Sequence, residues 1–173
     1  LSSLFHYDGG TQVTYGRMVQ ALDRAVGQVL DTLAAQGLAH NTLVIFSSDN
    51  GGERFSKTWP FTGQKTELLE GGIRVPLILR WPARLQAGVS EQTAISMDML
   101  PSLLAAAGAP APALASDGID LLPVLQGRQP LQARRLFWRY KAQGQRARRE
   151  GTMKYLRIRQ HEFLFDLSRD PRE

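Results

Sequence analysis

Asp49 and Asn50 put one charged and one neutral oxygen side by side, directly ahead of Gly51 and Gly52. That pair suits a hard cation such as Ca²⁺ or Mg²⁺, which takes oxygen ligands. The glycines let the backbone turn sharply and let a ligand come close. The same residues also make an Asx-turn that needs no ligand, so both readings stand at this point. Fifteen residues beyond Asn50 comes Lys65, in a loop punctuated by Gly63 and feeding Glu70-Gly71-Gly72-Ile73-Arg74-Val75-Pro76. A lysine there can meet an anionic group as a point charge, or stand solvated. Glu70 can accept hydrogen bonds from the loop backbone or pair with a cation.

The elements that must hold these residues are legible from periodicity. Tyr15, Met18, Val19, Leu22, Val26, Val29, Leu30 and Leu33 recur at helical spacing over about five turns. Gly37 follows as a C-terminal cap. Thr42-Leu43-Val44-Ile45-Phe46 then reads as a strand buried on both faces, the habit of parallel sheets, and it delivers Asp49 at its C-terminal end. Val75 to Trp81 reads as a second such strand, with Pro76 near its start. Asp98 is placed as a helix N-cap, with Pro101 in the first turn and Leu100, Leu103 and Leu104 facing a core, and Gly108 ends that helix. Leu136–Tyr140, Lys154–Ile158 and Glu162–Asp166 are short strand-like runs with turns between them, a small antiparallel sheet.

Composition narrows the class. The 173 residues are 43% hydrophobic and 21% charged, a balance that supports a packed core and excludes wholesale disorder. No apolar run approaches the roughly 20 residues of a membrane-spanning helix, so no membrane partner is expected. Cysteine is absent, which removes disulfides, thiolate metal sites and a cysteine nucleophile from these residues. The chain opens on Leu1 and closes on Asp170-Pro171-Arg172-Glu173, and it is expected to be part of a longer protein whose compartment stays open. Net charge is +5, but ten Arg or Lys and a single Glu lie between Arg134 and Arg159. Such a stretch is either a polyanion site, with Phe137, Trp138 and Tyr140 interleaved, or the solvated face of a small sheet.

Taken in order, the segments resemble the sulfatase family of the alkaline phosphatase superfamily. The resemblance runs through Tyr15-Gly-Arg-Met-Val, Asn41-Thr-Leu-Val-Ile-Phe-Ser-Ser-Asp49-Asn50-Gly-Gly and Lys65…Glu70-Gly-Gly-Ile-Arg-Val-Pro. It continues through Arg80-Trp-Pro, Met97-Asp98-Met-Leu-Pro-Ser-Leu-Leu, Asp117-Gly-Ile-Asp, Leu136-Phe-Trp, Lys154-Tyr and Phe165-Asp-Leu-Ser-Arg-Asp-Pro. It implies an α/β fold: the C-terminal part of an alkaline-phosphatase-like mixed sheet flanked by helices, plus a small C-terminal antiparallel β subdomain. The body would take residues 1–128 and the subdomain 129–173.

The same resemblance implies that Asp49 and Asn50 are two ligands of one active-site Ca²⁺ (Mg²⁺ also fits) and that Lys65 holds the substrate sulfate as a catalytic group. Superfamily members acting on phosphate diesters or phosphonates tend to carry Asp-His-Gly there, so Asn50 favours sulfate esters. The family's nucleophile is a formylglycine made in a Cys/Ser-x-Pro-x-Arg motif of the N-terminal half. No such motif occurs here, and the paired aspartates that complete the family's metal site are missing too. His6 is placed either at the substrate or in an ordinary loop; His40 and His161 are placed at the surface. The expectation is a fragment of a sulfatase, inactive alone, whose substrate is a sulfate ester or sulfated glycan. A phosphodiesterase or phosphonate monoester hydrolase and a basic polyanion-binding module are the alternatives. Nucleic acid is not the expected partner, and self-association of the segment is.

Overall fold

The structure, a computed structural model, describes residues 10–110 and 116–173. His6 and positions 111–115 of the Ala/Pro-rich stretch lie outside those residues. The expected long helix, α1, spans Gln12–Ala35. Thr11 caps it, its hydroxyl accepting the Thr14 N–H at 3.1 Å. Gly37, at φ +69°, turns the chain out of α1, and the Leu38 N–H closes back on the Leu33 carbonyl at 2.8 Å.

Two strands carry the candidate chemistry. β1, Val44–Ser47, pairs with β2, Leu77–Arg80, with Val44 opposite Arg80 and Ser47 opposite Leu77. This corrects the expectation of a parallel, doubly buried pair, because the two run antiparallel and neither is buried. With no element described over either face, Phe46 and Ile78 keep 38% and 57% of their surface exposed. The apolar composition of these strands therefore reports surface that the described residues do not cover.

The C-terminal part is a four-stranded antiparallel meander in chain order: β3 Arg135–Tyr140, β4 Gln145–Glu150, β5 Met153–Ile158 and β6 His161–Asp166. β4 was not expected from the sequence. Its inward residues are Gln145, Ala147 and Arg149, which show no apolar alternation, and it is a strand because both neighbours pair with it. The inner face of this sheet makes the core. Ala147 and Leu156 pack on Leu68, with Leu69, Ile73, Trp138 and Phe165 around them. Burying a leucine such as Leu156 this fully contributes about 1.5–3 kcal/mol.

A short helix α2, Glu70–Ile73, brings Ile73 against that core, while α3, Met99–Ala107, and α4, Leu122–Leu125, pack on each other. Asp98 does not cap α3. Its backbone is already helical, and its fully buried carboxylate accepts the Ile95 N–H at 2.8 Å and the Ile119 N–H at 2.9 Å while pairing with Arg134. The leucines of α3 also depart from expectation, since Leu100 and Leu103 are exposed. The buried residue of α3 is Ser102, whose hydroxyl accepts the Leu121 N–H at 2.9 Å. Gly108 ends α3 in the left-handed conformation, as expected.

No residue of α1 is buried, and Val13, Met18, Leu22 and Val29 each expose more than half their surface. The 173-residue chain prepared alone is therefore expected to self-associate, read as a sedimentation mass that climbs with concentration. A monomeric, sharply cooperative melt would contradict this.

Candidate active site

The loop after β1 is fixed at its ends by backbone contacts. The Ser47 hydroxyl donates to the Pro76 carbonyl at 3.0 Å, and the Ser48 hydroxyl donates to the Asn50 carbonyl at 2.8 Å. The Gly51 N–H then reaches the Gly72 carbonyl at 2.8 Å, and the Lys65 N–H reaches the Gly52 carbonyl at 2.8 Å. These bonds draw the Asp49–Asn50 turn, the Lys65 loop and the start of α2 into one layer. The approach is close enough to require glycine, because a Cβ on Gly51 would sit 1.8 Å from the Gly71 carbonyl oxygen. On Gly72 it would sit 2.1 Å from the Glu67 carbonyl oxygen.

Asp49, Asn50 and Lys65, the three residues singled out from sequence, all line one open groove of about 1550 Å³. Asp49 is exposed and Asn50 is partly buried. Lys65 Nζ lies 3.7 Å from Glu53 Oε2, an exposed partner that sequence reasoning missed. Among the described residues neither the Asp49 carboxylate nor the Asn50 amide is engaged in an ion pair or side-chain hydrogen bond. Their oxygens fit a hard cation as two of its ligands. They do not complete a site: no group of three or more His, Cys, Asp or Glu suited to a metal occurs among the described residues, and Ca²⁺ takes six to eight oxygens.

Glu70 resolves the choice left open by its sequence context. It is buried and pairs with cations of the meander, with Oε1 3.0 Å from Lys154 Nζ and Oε2 3.3 Å from Arg149 Nη1. Arg74 Nη1 adds a longer contact at 3.6 Å. Lys154 is itself fully buried and lies 2.8 Å from Glu173 Oε1, an ionic contact rather than an aligned hydrogen bond. A second tie comes from Gln145 at the start of β4. Its amide oxygen accepts the Leu68 N–H at 2.9 Å, and its amide nitrogen donates to the Thr66 carbonyl at 3.0 Å. Thr66, the neighbour of Lys65, is held at φ +76°, a region that a β-branched residue rarely adopts. The meander thus clamps the Lys65 loop through two polar side chains, Gln145 and Lys154. Nothing in the sequence pattern marks Gln145. Lys154 appears there as half of Lys154-Tyr155, with no sign that it is buried.

Residues 11–109 match the family model Sulfatase, and residues 62–173 match N-sulphoglucosamine sulphohydrolase, C-terminal. The chain belongs to the sulfatase family. Arylsulfatase A of Homo sapiens is 39% identical over 129 residues, which cover 72% of this chain and 25% of that protein. The chain spans about a quarter of the length of the curated relatives it matches. Among solved structures, Ps i-CgsB in complex with k-i-k-neocarrahexaose superposes at a TM-score of 0.85 with 28% identity, over 99% of this chain and 40% of that one. The phosphonate monoester hydrolase SpPMH from Silicibacter pomeroyi shares the fold at a TM-score of 0.66, with 24% identity over 86% of this chain and 33% of its own. The fold is the α/β fold of these enzymes.

Two substitutions test the construction of the site. Lys154→Met leaves the Glu70 carboxylate buried without its closest cation and should lower unfolding free energy by about 3–5 kcal/mol. Gly51→Ala forces a methyl into the Gly71 carbonyl and should cost on the order of 1–3 kcal/mol or more. Denaturant melts of the full-length protein measure both. Wild-type stability in Lys154→Met would show that this ion pair does not hold the loop.

Proposed function

We propose that the protein hydrolyses sulfate esters, with Asp49 and Asn50 as two ligands of an active-site Ca²⁺ and Lys65 as the group that holds the sulfate. The observation that supports this reading is the convergence of these three side chains on one groove, through backbone hydrogen bonds that set the two loops against each other. Mg²⁺ is the alternative cation.

The chemistry follows from charge. A divalent cation at Asp49 and Asn50 would neutralise sulfate oxygens as charge builds towards the transition state. Lys65 contributes a second positive centre, a point charge on a flexible stem. Its ammonium rests near Glu53, and an incoming sulfate would take over that contact. Gln145 and the strained Thr66 hold the Lys65 backbone in place during this exchange. The nucleophile, a formylglycine in this reading, and the remaining metal ligands are supplied from outside these 173 residues. The substrate is a small sulfate ester or a sulfated glycan, and the 173-residue segment alone is inactive. The runner-up is hydrolysis of a phosphate diester or phosphonate, which the fold shared with a phosphonate monoester hydrolase keeps in view.

The test uses the full-length protein with a chromogenic aryl sulfate and the matching phosphate diester. Asp49→Ala and Lys65→Ala should each lower kcat/KM for the sulfate by about 100-fold or more while the protein stays folded. Chelation should abolish turnover, and Ca²⁺ should restore it. Full activity in either variant would remove that residue from the mechanism, and faster turnover of the diester would favour the runner-up.

A further inference from the structure

The outer face of the meander carries an arrangement that neither the fold nor the proposed hydrolysis requires. Arg139 of β3 stands opposite Arg146 of β4, which stands opposite Arg157 of β5. Three arginines therefore lie in one cross-strand row, over roughly 10 Å at the usual strand spacing. Like charges placed directly opposite destabilise a sheet, so this row carries a cost that pairing would remove. Among the described residues none of the three meets a carboxylate within 4.0 Å, and Glu162 closes the row only as the cross-strand partner of Arg157.

The row towards the other end of the strands is built differently. There Arg135 lies opposite Glu150, bonded at 2.8 Å, and Arg148 reaches the same carboxylate at 2.6 Å. Arg135 first, and Arg148 with it, hold the Glu150 carboxyl below its ordinary pKa. Between the two rows stand Phe137, Arg148 and Tyr155 in register, with Phe137 64% exposed. One end of the sheet face is thus charge-matched, and the other presents guanidinium groups without a carboxylate partner beside aromatic rings, Arg157 donating its Nε to the Arg159 carbonyl at 2.9 Å and keeping its terminal nitrogens for a ligand. Guanidinium forks suit tetrahedral oxyanions in two-point contacts, and aromatic faces give apolar area between the charges.

The position adds a direction. β3 is the edge strand of the meander, and its Phe137 and Arg139 also line the groove that holds Asp49, Asn50 and Lys65. The arginine row starts at the rim of that groove and runs away from it across the sheet. We propose that the outer face of β3–β5 is a binding platform for a sulfated polysaccharide, with Arg139, Arg146 and Arg157 as its anion-binding row and Phe137 and Tyr155 beside its sugar rings. The choice of sulfate over phosphate rests on the sulfate-ester reading of the groove; the anion-binding row does not.

The experiment measures salt elution of the full-length protein from immobilised heparin, with single-stranded RNA as competitor and thermal melts as the folding control. The double variant Arg146→Gln/Arg157→Gln, neither residue lining the groove, should elute at lower salt with the salt slope reduced by roughly one to two. Arg135→Gln removes the same kind of charge from the matched row and should shift elution much less. Arg146→Lys, which keeps the charge and loses the fork, should fall between wild type and the double variant. Unchanged elution of a folded double variant would overturn the platform, as would an equal shift in Arg135→Gln, which would report net charge alone. RNA that outcompetes heparin at equal charge would overturn the glycan in favour of nucleic acid. Lost heparin affinity in the double variant of a protein that releases sulfate from neither an aryl sulfate nor a sulfated glycan would support the platform and sink the sulfate-ester reading instead.

Discussion

The buried ion pair between Glu70 and Lys154 is the constraint on which the site depends. Removing two charges from water costs several kcal/mol per ion, and close geometry offsets that cost only when the remaining polar atoms are also satisfied. Here Glu70 meets Lys154 on one oxygen and Arg149 on the other, while Lys154 touches a second carboxylate at Glu173. The pair's value lies in placement. Glu70 is followed by the two glycines that cross Gly51, so fixing its carboxylate fixes the seam on which Asp49, Asn50 and Lys65 are hung. Gln145 secures the other end of the same loop at Thr66 and Leu68.

Elements set by local backbone chemistry were readable from the sequence. The stripe of α1 and the glycine stops at Gly37 and Gly108 appear where local chemistry puts them. The loops of Asp49-Asn50-Gly51-Gly52 and Lys65, both singled out from sequence, meet through the bond from the Lys65 N–H to the Gly52 carbonyl. Features set by a distant partner stayed hidden. β4 has polar residues on its inner face, so no period-2 signal exists, and its state is decided by β3 and β5. A lysine is among the residues least often fully buried, and the burial of Lys154 follows from Glu70, 84 positions earlier. Asp98 has the residue type of an N-cap, but Arg134 and two flanking N–H groups take up its oxygens.

The two strands β1 and β2 show how composition can mislead about surroundings. Their Val, Ile, Leu and Phe content describes strands meant for burial, whereas the described residues leave them half open. The exposed stripe of α1 and the two-oxygen cation pair at Asp49 and Asn50 have the same character. The chain matches about a quarter of the length of its relatives.

The meander has a consequence for the order of assembly. Its contacts are local, each strand pairing with the next along the chain, so it can form quickly and on its own terms. The seam at Gly51 and Gly72 has no such independence, because its clamp residues, Gln145 and Lys154, come roughly 80 residues later in the sequence. On a ribosome, which delivers residues from the N-terminus onward, the loops of the candidate site emerge well before the strands that hold them. The groove therefore takes shape only after the meander has been made, and until then the loops of Asp49, Asn50 and Lys65 lack the clamp that sets them against each other.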